Sequence, residues 1–240
     1  MMSAVFRNIS LLIALLFFYC SPLSADLIVD QHIDDLVGLA VNGNSKKFIS
    51  YVKDQDLLDK KDRDGHSPLF AAMFGPPELV NDVLQLGVAL EQRDNLGFTP
   101  LISAALLGYP QVVNKLLQSG ATLEAKNNDG QTALMISILG QVTNQVDMSA
   151  VGDNQWHNRW DQVVELLLKS GADVNTVDKR GVSPLFMAIF SQNLSLCSAL
   201  IEAGANTNHK LPSGVSLLRF ARLSSSKAII DLLVSHGAEL

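Results

Sequence analysis

Histidine and cysteine are the side chains best able to hold a metal or attack a bond, so their spacing is the first chemistry to test. His32, His66, His157, His209 and His236 are scattered, and no two stand four apart as a helical metal pair requires. Neither Cys20 nor Cys197 falls within Cys/His ligand spacing of them. Asp62-Arg63-Asp64-Gly65 has the start of a calcium loop, but an EF-hand needs an acid two residues before Asp62 and a glutamate six after Gly65, where Lys60 and Ala71 stand. No glycine-rich phosphate loop and no Gly-x-Ser-x-Gly elbow is present. Asp153, His157 and Asp161 are the one set where an ion or substrate could sit, and metal analysis of the purified protein would test it. Cys197 falls on the apolar side of a helical stripe and reads as core, where a thiol ionises poorly. The expectation is a protein without catalytic residues, cofactor or metal.

The elements that would position such residues begin with the composition. A chain of 240 residues with 48% hydrophobic and 18% charged side chains is too apolar for a disordered tail. A net charge of −6 and a pI near 5.3 argue against a nucleic-acid binder, which would need a basic face to neutralise phosphates. Residues 1–25 hold one base, Arg7, no acid, an apolar run from Leu11 to Cys20 and a short Ser21-Pro22-Leu23-Ser24-Ala25 segment. That pattern reads as a secretory signal peptide with cleavage expected after Ala25, and its apolar run is about half what a membrane span needs. An uncleaved anchor or a lipidated Cys20 is the weaker alternative, because Phe17-Phe18-Tyr19 puts no small residue before the cysteine. Cleavage removes one base and leaves 17 bases against 24 acids, a net −7, with Cys197 as the sole thiol and no intramolecular disulfide. The expected location is periplasmic or secreted.

Two glycine series run through the rest. Glycines at 65, 97, 130, 181 and 214 are spaced 32, 33, 51 and 33 apart, and those at 87, 120, 171, 204 and 237 are spaced 33, 51, 33 and 33. A fixed period of this size marks a repeat architecture, and the single 51 is one period plus 18 residues. Each period reads as the same unit. Thr99 can cap a helix opened by Pro100, and Ala104 and Ala105 give it a small face. Val112-Val113 and Leu116-Leu117 stripe a second helix, and Gly120-Ala121 ends it.

Gly65-His66-Ser67-Pro68-Leu69, Gly97-Phe98-Thr99-Pro100-Leu101, Gly130-Gln131-Thr132-Ala133-Leu134 and Gly181-Val182-Ser183-Pro184-Leu185 resemble the ankyrin repeat, with Gly214-Val215-Ser216-Leu217-Leu218 a degenerate fifth. The resemblance covers 33–240 and implies an all-α ankyrin-repeat solenoid: helix-turn-helix units joined by β-turn or hairpin loops, about five full repeats plus an N-terminal cap. The boundaries read 26–62 for linker and cap, then 63–94, 95–127, 128–178, 179–210 and 211–240. The family's histidine after Pro-Leu is missing from every unit, where Phe70, Ile102, Met135, Phe186 and Arg219 stand instead, which exchanges a polar network mostly for packing.

Such a stack binds proteins through its turn tips and the exposed positions of its first helices. Carried over, these are Arg63, Asp64, His66 and Phe74; Asn95, Leu96, Phe98, Leu106 and Leu107; Asn128, Asp129, Gln131 and Leu139; and Lys179, Arg180, Val182 and Phe190. Many are apolar, as an interaction patch would be. Leu107, Leu139 and Phe190 could equally pack against the next repeat. The insertion, about 141–159, ends in Trp156, His157, Arg159 and Trp160; tryptophan and arginine are enriched in binding hot spots. Packing of both tryptophans on their own stack and contact with a partner both remain open, as does a loop without fixed position. The function expected is that of a monomeric periplasmic protein-binder, with no nucleic-acid partner and no membrane insertion after leader cleavage. Its partner is a secreted or periplasmic enzyme. Neutralising a self-damaging cell-wall hydrolase or toxin is the first reading and supporting an enzyme such as a hydroperoxidase the second. An array without a specific partner is the remaining possibility.

Overall fold

The computed structural model describes residues 27–143, 159–224 and 226–240. The leader, Trp156 and His157 lie outside them. Among the described residues, no helix is long and apolar enough to cross a membrane. Twelve helices among the described residues follow one another as six pairs: α1 (Leu27–Val41) with α2 (Ser45–Asp54), α3 (Pro68–Ala72) with α4 (Pro77–Leu84), α5 (Pro100–Leu106) with α6 (Pro110–Gln118), α7 (Ala133–Thr143) with α8 (Arg159–Lys169), α9 (Pro184–Phe190) with α10 (Leu194–Glu202), and α11 (Leu217–Ser224) with α12 (Lys227–Ser235). First helices touch first helices in the order α1, α3, α5, α7, α9, α11. Second helices form the other layer, with α2, α4, α6 and α8 in succession and α10 against α12.

Each first helix of the five later pairs starts in the same way. The hydroxyls of Ser67, Thr99, Thr132, Ser183 and Ser216 accept hydrogen bonds from the backbone N–H groups of Phe70, Ile102, Met135, Phe186 and Arg219. Proline at 68, 100 and 184 then fills a position whose own N–H would go unused. Ala72, Ala104 and Ala105 are fully buried, so small side chains do set the approach between first helices. Ile102 and Met135 are fully buried, Phe70 and Phe186 half-buried and Arg219 exposed, which is how packing takes the place of the missing histidines.

The turns between pairs are built on one side chain. Asp62, Asp94, Asn127 and Asp178 each accept two backbone N–H groups through Oδ1, from the residues two and four places on. Leu211 stands at this position in the last turn, which keeps its backbone bond to Val215 and a bridge between Lys210 and Ser216. Consecutive turns are laced together: Asn95 N–H donates to Asp64 O, Asn128 to Leu96 O and Lys179 to Asp129 O. At Gly97 (φ +79°) a Cβ would sit 2.7 Å from the Asn128 backbone nitrogen, so glycine supplies both the left-handed turn and room for the next one.

Cys197 is fully buried on α10, and burial pushes its thiol up to about 12. Native protein is therefore expected to resist an aromatic disulfide reagent at pH 8 and to react stoichiometrically only in denaturant; rapid native labelling would place the thiol outside the core. At the far end, Lys227, Asp231 and Ser235 give α12 an exposed polar side.

Candidate functional site

The first helices share an apolar row that follows the repeat. Val41, Phe74, Leu106, Leu139, Phe190 and Leu223 occupy equivalent places along the first helices, 33, 32, 33, 51 and 33 residues apart. Gly43, Gly108 and Gln192 each follow a first helix with positive φ. Phe74, Leu106 and Leu139 are half-buried against the core and Phe190 is half-buried, whereas Val41 is 65% and Leu223 81% exposed at the two ends. Val41 and Leu223 were not among the sequence-read positions, although the 33-residue period marks them both.

The insertion leaves and re-enters beside this row. Gln141 stands where Gly108 ends α5, and without a left-handed residue there α7 continues to Thr143. Its supposed ends, Gln141 and Arg159, are thus both helical. Across its base Gln141 Nε2 donates to Asp161 Oδ1 at 2.7 Å. Of the three residues considered for an ion site, Asp161 is used in this way, and Asp153 and His157 are outside the described residues. Among the described residues, no group of His, Cys, Asp or Glu could hold a metal.

Trp160 lies on its own stack. Its indole Nε1 donates to the Leu106 carbonyl at 3.1 Å, one of the acceptors an α-helix leaves free at its C-terminal end. The ring passes so close to Gly108 and Gly140 that a Cβ at either would stand 2.9 or 2.8 Å from Cε2. Arg159 is half-buried with its guanidinium 5.9 Å from the centre of the Tyr109 ring.

The remaining sequence-read positions fall into two groups. Leu96 is exposed at 43%, and Arg63, Lys179 and Arg180 are exposed at the turn tips. Arg180 turns back to place Nε and Nη2 on the buried Asp178 carboxylate at 3.0 and 2.9 Å. Phe98 is half-buried against the core, as are Leu106, Leu107 and Val182. Phe190 stacks on Phe220 with centroids 6.2 Å apart. Gln131, read as a tip residue, is buried, with Oε1 accepting from Asn127 Nδ2. One added carbon over the asparagine length lets its amide fold back onto the turn rather than face solvent.

His66 stacks on Phe70 at 4.1 Å with Phe74 edge-on beyond, and its Nδ1 lies 3.0 Å from Asp62 Oδ2. Burial opposes its protonation most strongly, yet the Asp62 hydrogen bond and the charges of Asp62, Asp64 and Asp94 together hold its pKa above the ordinary 6.5. A raised folded-state pKa adds stability that is complete below the unfolded value and lost as pH rises through the folded one. Replacing His66 by glutamine is therefore expected to lower Tm most below pH 6.5 and progressively less above it; a pH-independent difference would refute the linkage.

The same unit recurs in known proteins. A model of ankyrin repeats in three copies matches residues 1–127, 70–148 and 155–240, and a single ankyrin-repeat model matches 129–179. The chain belongs to the ankyrin-repeat family. Among solved ankyrin structures, the ankyrin repeat domain of Bcl-3, a member of the IκB family, superposes with a TM-score of 0.67 at 28% identity, covering 85% of this chain and 86% of that one. An ankyrin repeat domain from Acinetobacter baumannii AYE gives 0.69 at 25% identity, covering 85% and 98%. By sequence, the chain is 26% identical over 180 residues to phosphocholine transferase AnkX of Legionella pneumophila, 75% of this chain but only 18% of that protein. An ankyrin stack is a protein-interaction module, and the apolar row and turn tips are the surfaces it has to offer.

Proposed function

We propose that this ankyrin protein acts in the periplasm, delivered there by residues 1–25, and binds a secreted or periplasmic enzyme whose active site it covers, protecting the cell from a cell-wall hydrolase or toxin. The observation that carries this reading is the apolar row, which offers one side chain per unit for the length of the stack. An insertion that carries tryptophan, next in sequence to this row, suits the plugging of a cleft. The net negative charge quickens encounter with a basic partner, and enzymes that act on anionic cell walls are often basic. In this reading the chain is a binder and not a catalyst. Scaffolding of a periplasmic enzyme such as a hydroperoxidase uses the same face and leaves activity intact.

Mature protein 26–240 immobilised as bait in a periplasmic extract is expected to retain an enzyme. Val41→Glu/Leu223→Glu should lose it while keeping the wild-type Tm, because both side chains are exposed. Trp156→Ala separates the insertion's contribution from that of the row. Inhibition of the captured enzyme supports the protective role, and retained or raised activity supports the scaffold. Equal capture by wild type and double variant would take the row out of the interface.

A further inference from the structure

Charge along the first-helix and turn layer changes sign at its C-terminal end. From residue 203 to 230 the chain holds Lys210, Arg219, Arg222 and Lys227 and not one acid, in a protein of net charge −6. Arg219, Arg222 and Leu223 lie three and four residues apart on one exposed face of α11, while Leu217, Leu218 and Ala221 fill the core. Lys210 is in the last turn and exposed Lys179 in the turn before it. These two turns adjoin: His209 Nε2 lies 2.8 Å from the Gly181 carbonyl oxygen, and a Cβ at Gly181 would meet the Pro212 ring. Arg180 is answered by Asp178, but among the described residues no carboxylate answers Lys179, Lys210, Arg219 or Arg222. Beside them Phe186 and Phe190 pack on Phe220 with centroids 4.7 and 6.2 Å away, and Leu223 stands 81% exposed. At the other end the same layer carries Asp34 and Asp35 on α1.

Building on the protein-binding reading, we infer that the C-terminal end of this face, from Lys179 to Leu223, receives an acidic segment of the partner that carries an apolar anchor. Cations left without a carboxylate on a folded surface favour an anionic counterpart, and an exposed leucine beside a phenylalanine cluster favours an apolar side chain within it. A segment combining the two satisfies both. A nucleic acid matches the cations but offers no aliphatic anchor for Leu223, and the net −6 of the chain opposes a long polyanion from a distance. The negative field of the whole chain and the positive field over α11 act together: a basic partner is drawn in, and its acidic segment fixes which end of the stack it meets.

A library of random twelve-residue peptides displayed on phage and selected on the mature chain tests this. Enriched peptides are expected to combine aspartate or glutamate with an aromatic or aliphatic residue, and to weaken with added salt. Arg219→Glu/Arg222→Glu should weaken them by about tenfold or more, and Leu223→Ser should weaken them separately. Neutral or basic peptides that bind both variants as well as wild type would overturn the inference while leaving the protein-binding reading standing. No enrichment on any form would count against both. A single-stranded oligonucleotide that binds comparably, and does so regardless of Leu223→Ser, would also overturn it by making the patch a general polyanion site.

Discussion

Gly140→Ala is expected to destabilise the protein by about 1–3 kcal/mol, the cost of overpacking a filled site. Taken alone, α7 predicts the opposite sign, since alanine in a helix is favoured over glycine by roughly 0.5–1 kcal/mol. The reversal comes from Trp160, whose Cε2 would stand 2.8 Å from the new methyl carbon, with Nε1 and Cδ1 closer still. Trp160→Ala should itself cost about 2–3 kcal/mol, below the range for a fully buried aromatic because the ring is only half-buried. In that background Gly140→Ala should turn neutral or mildly stabilising. Urea denaturation of the four proteins reads the coupling directly; additive effects would mean that Trp160 does not occupy this slot. The result bears on function too. A tryptophan tied to Leu106 O anchors the foot of the insertion, so loss of binding on Trp160→Ala counts as partner contact only if the fold is intact.

Asp178→Ala carries the second large effect, an expected loss of about 2–4 kcal/mol. The carboxylate is buried and accepts four hydrogen bonds, from Arg180 N, Val182 N, Arg180 Nε and Arg180 Nη2. Removing it strands two backbone donors in the turn that joins α8 to α9. Asp178→Asn keeps Oδ1 as acceptor and should cost only about 1 kcal/mol, chiefly through the weakened Arg180 pairing. The protein contains its own control: Asn127 holds the equivalent turn through Oδ1 in the same way. Urea titration with equal losses for alanine and asparagine would show that charge, and not the turn's acceptor, matters at 178.

The solenoid was legible because each unit writes itself locally. A hydroxyl cap, a proline, small residues and a left-handed glycine each act within a few residues of themselves, and their recurrence, with the cap in all five units and the proline in three, fixes the period. The same locality hides where some of the tip side chains go. Phe98 and Gln131 stand at tip positions by alignment, but a phenylalanine ring reaches the core and a glutamine amide reaches Asn127, and neither reach is visible in one unit's pattern. Val41 and Leu223 were passed over because their own units are degenerate, lacking the Pro-Leu opening that draws attention to the others.

By itself the sequence determined the fold class, its period and the burial of Cys197. All of these depend on periodicity and short-range capping, which a linear text preserves. Only the tertiary structure decided which apolar side chains remain at the surface, and that Trp160 crosses 54 residues of chain to reach the Leu106 carbonyl. It also decided that the last two turns adjoin and that Arg219 and Arg222 share an exposed face of α11 with Leu223. Those outcomes depend on which units stack against which, and stacking brings together residues one period or more apart whose types carry no mark of the meeting.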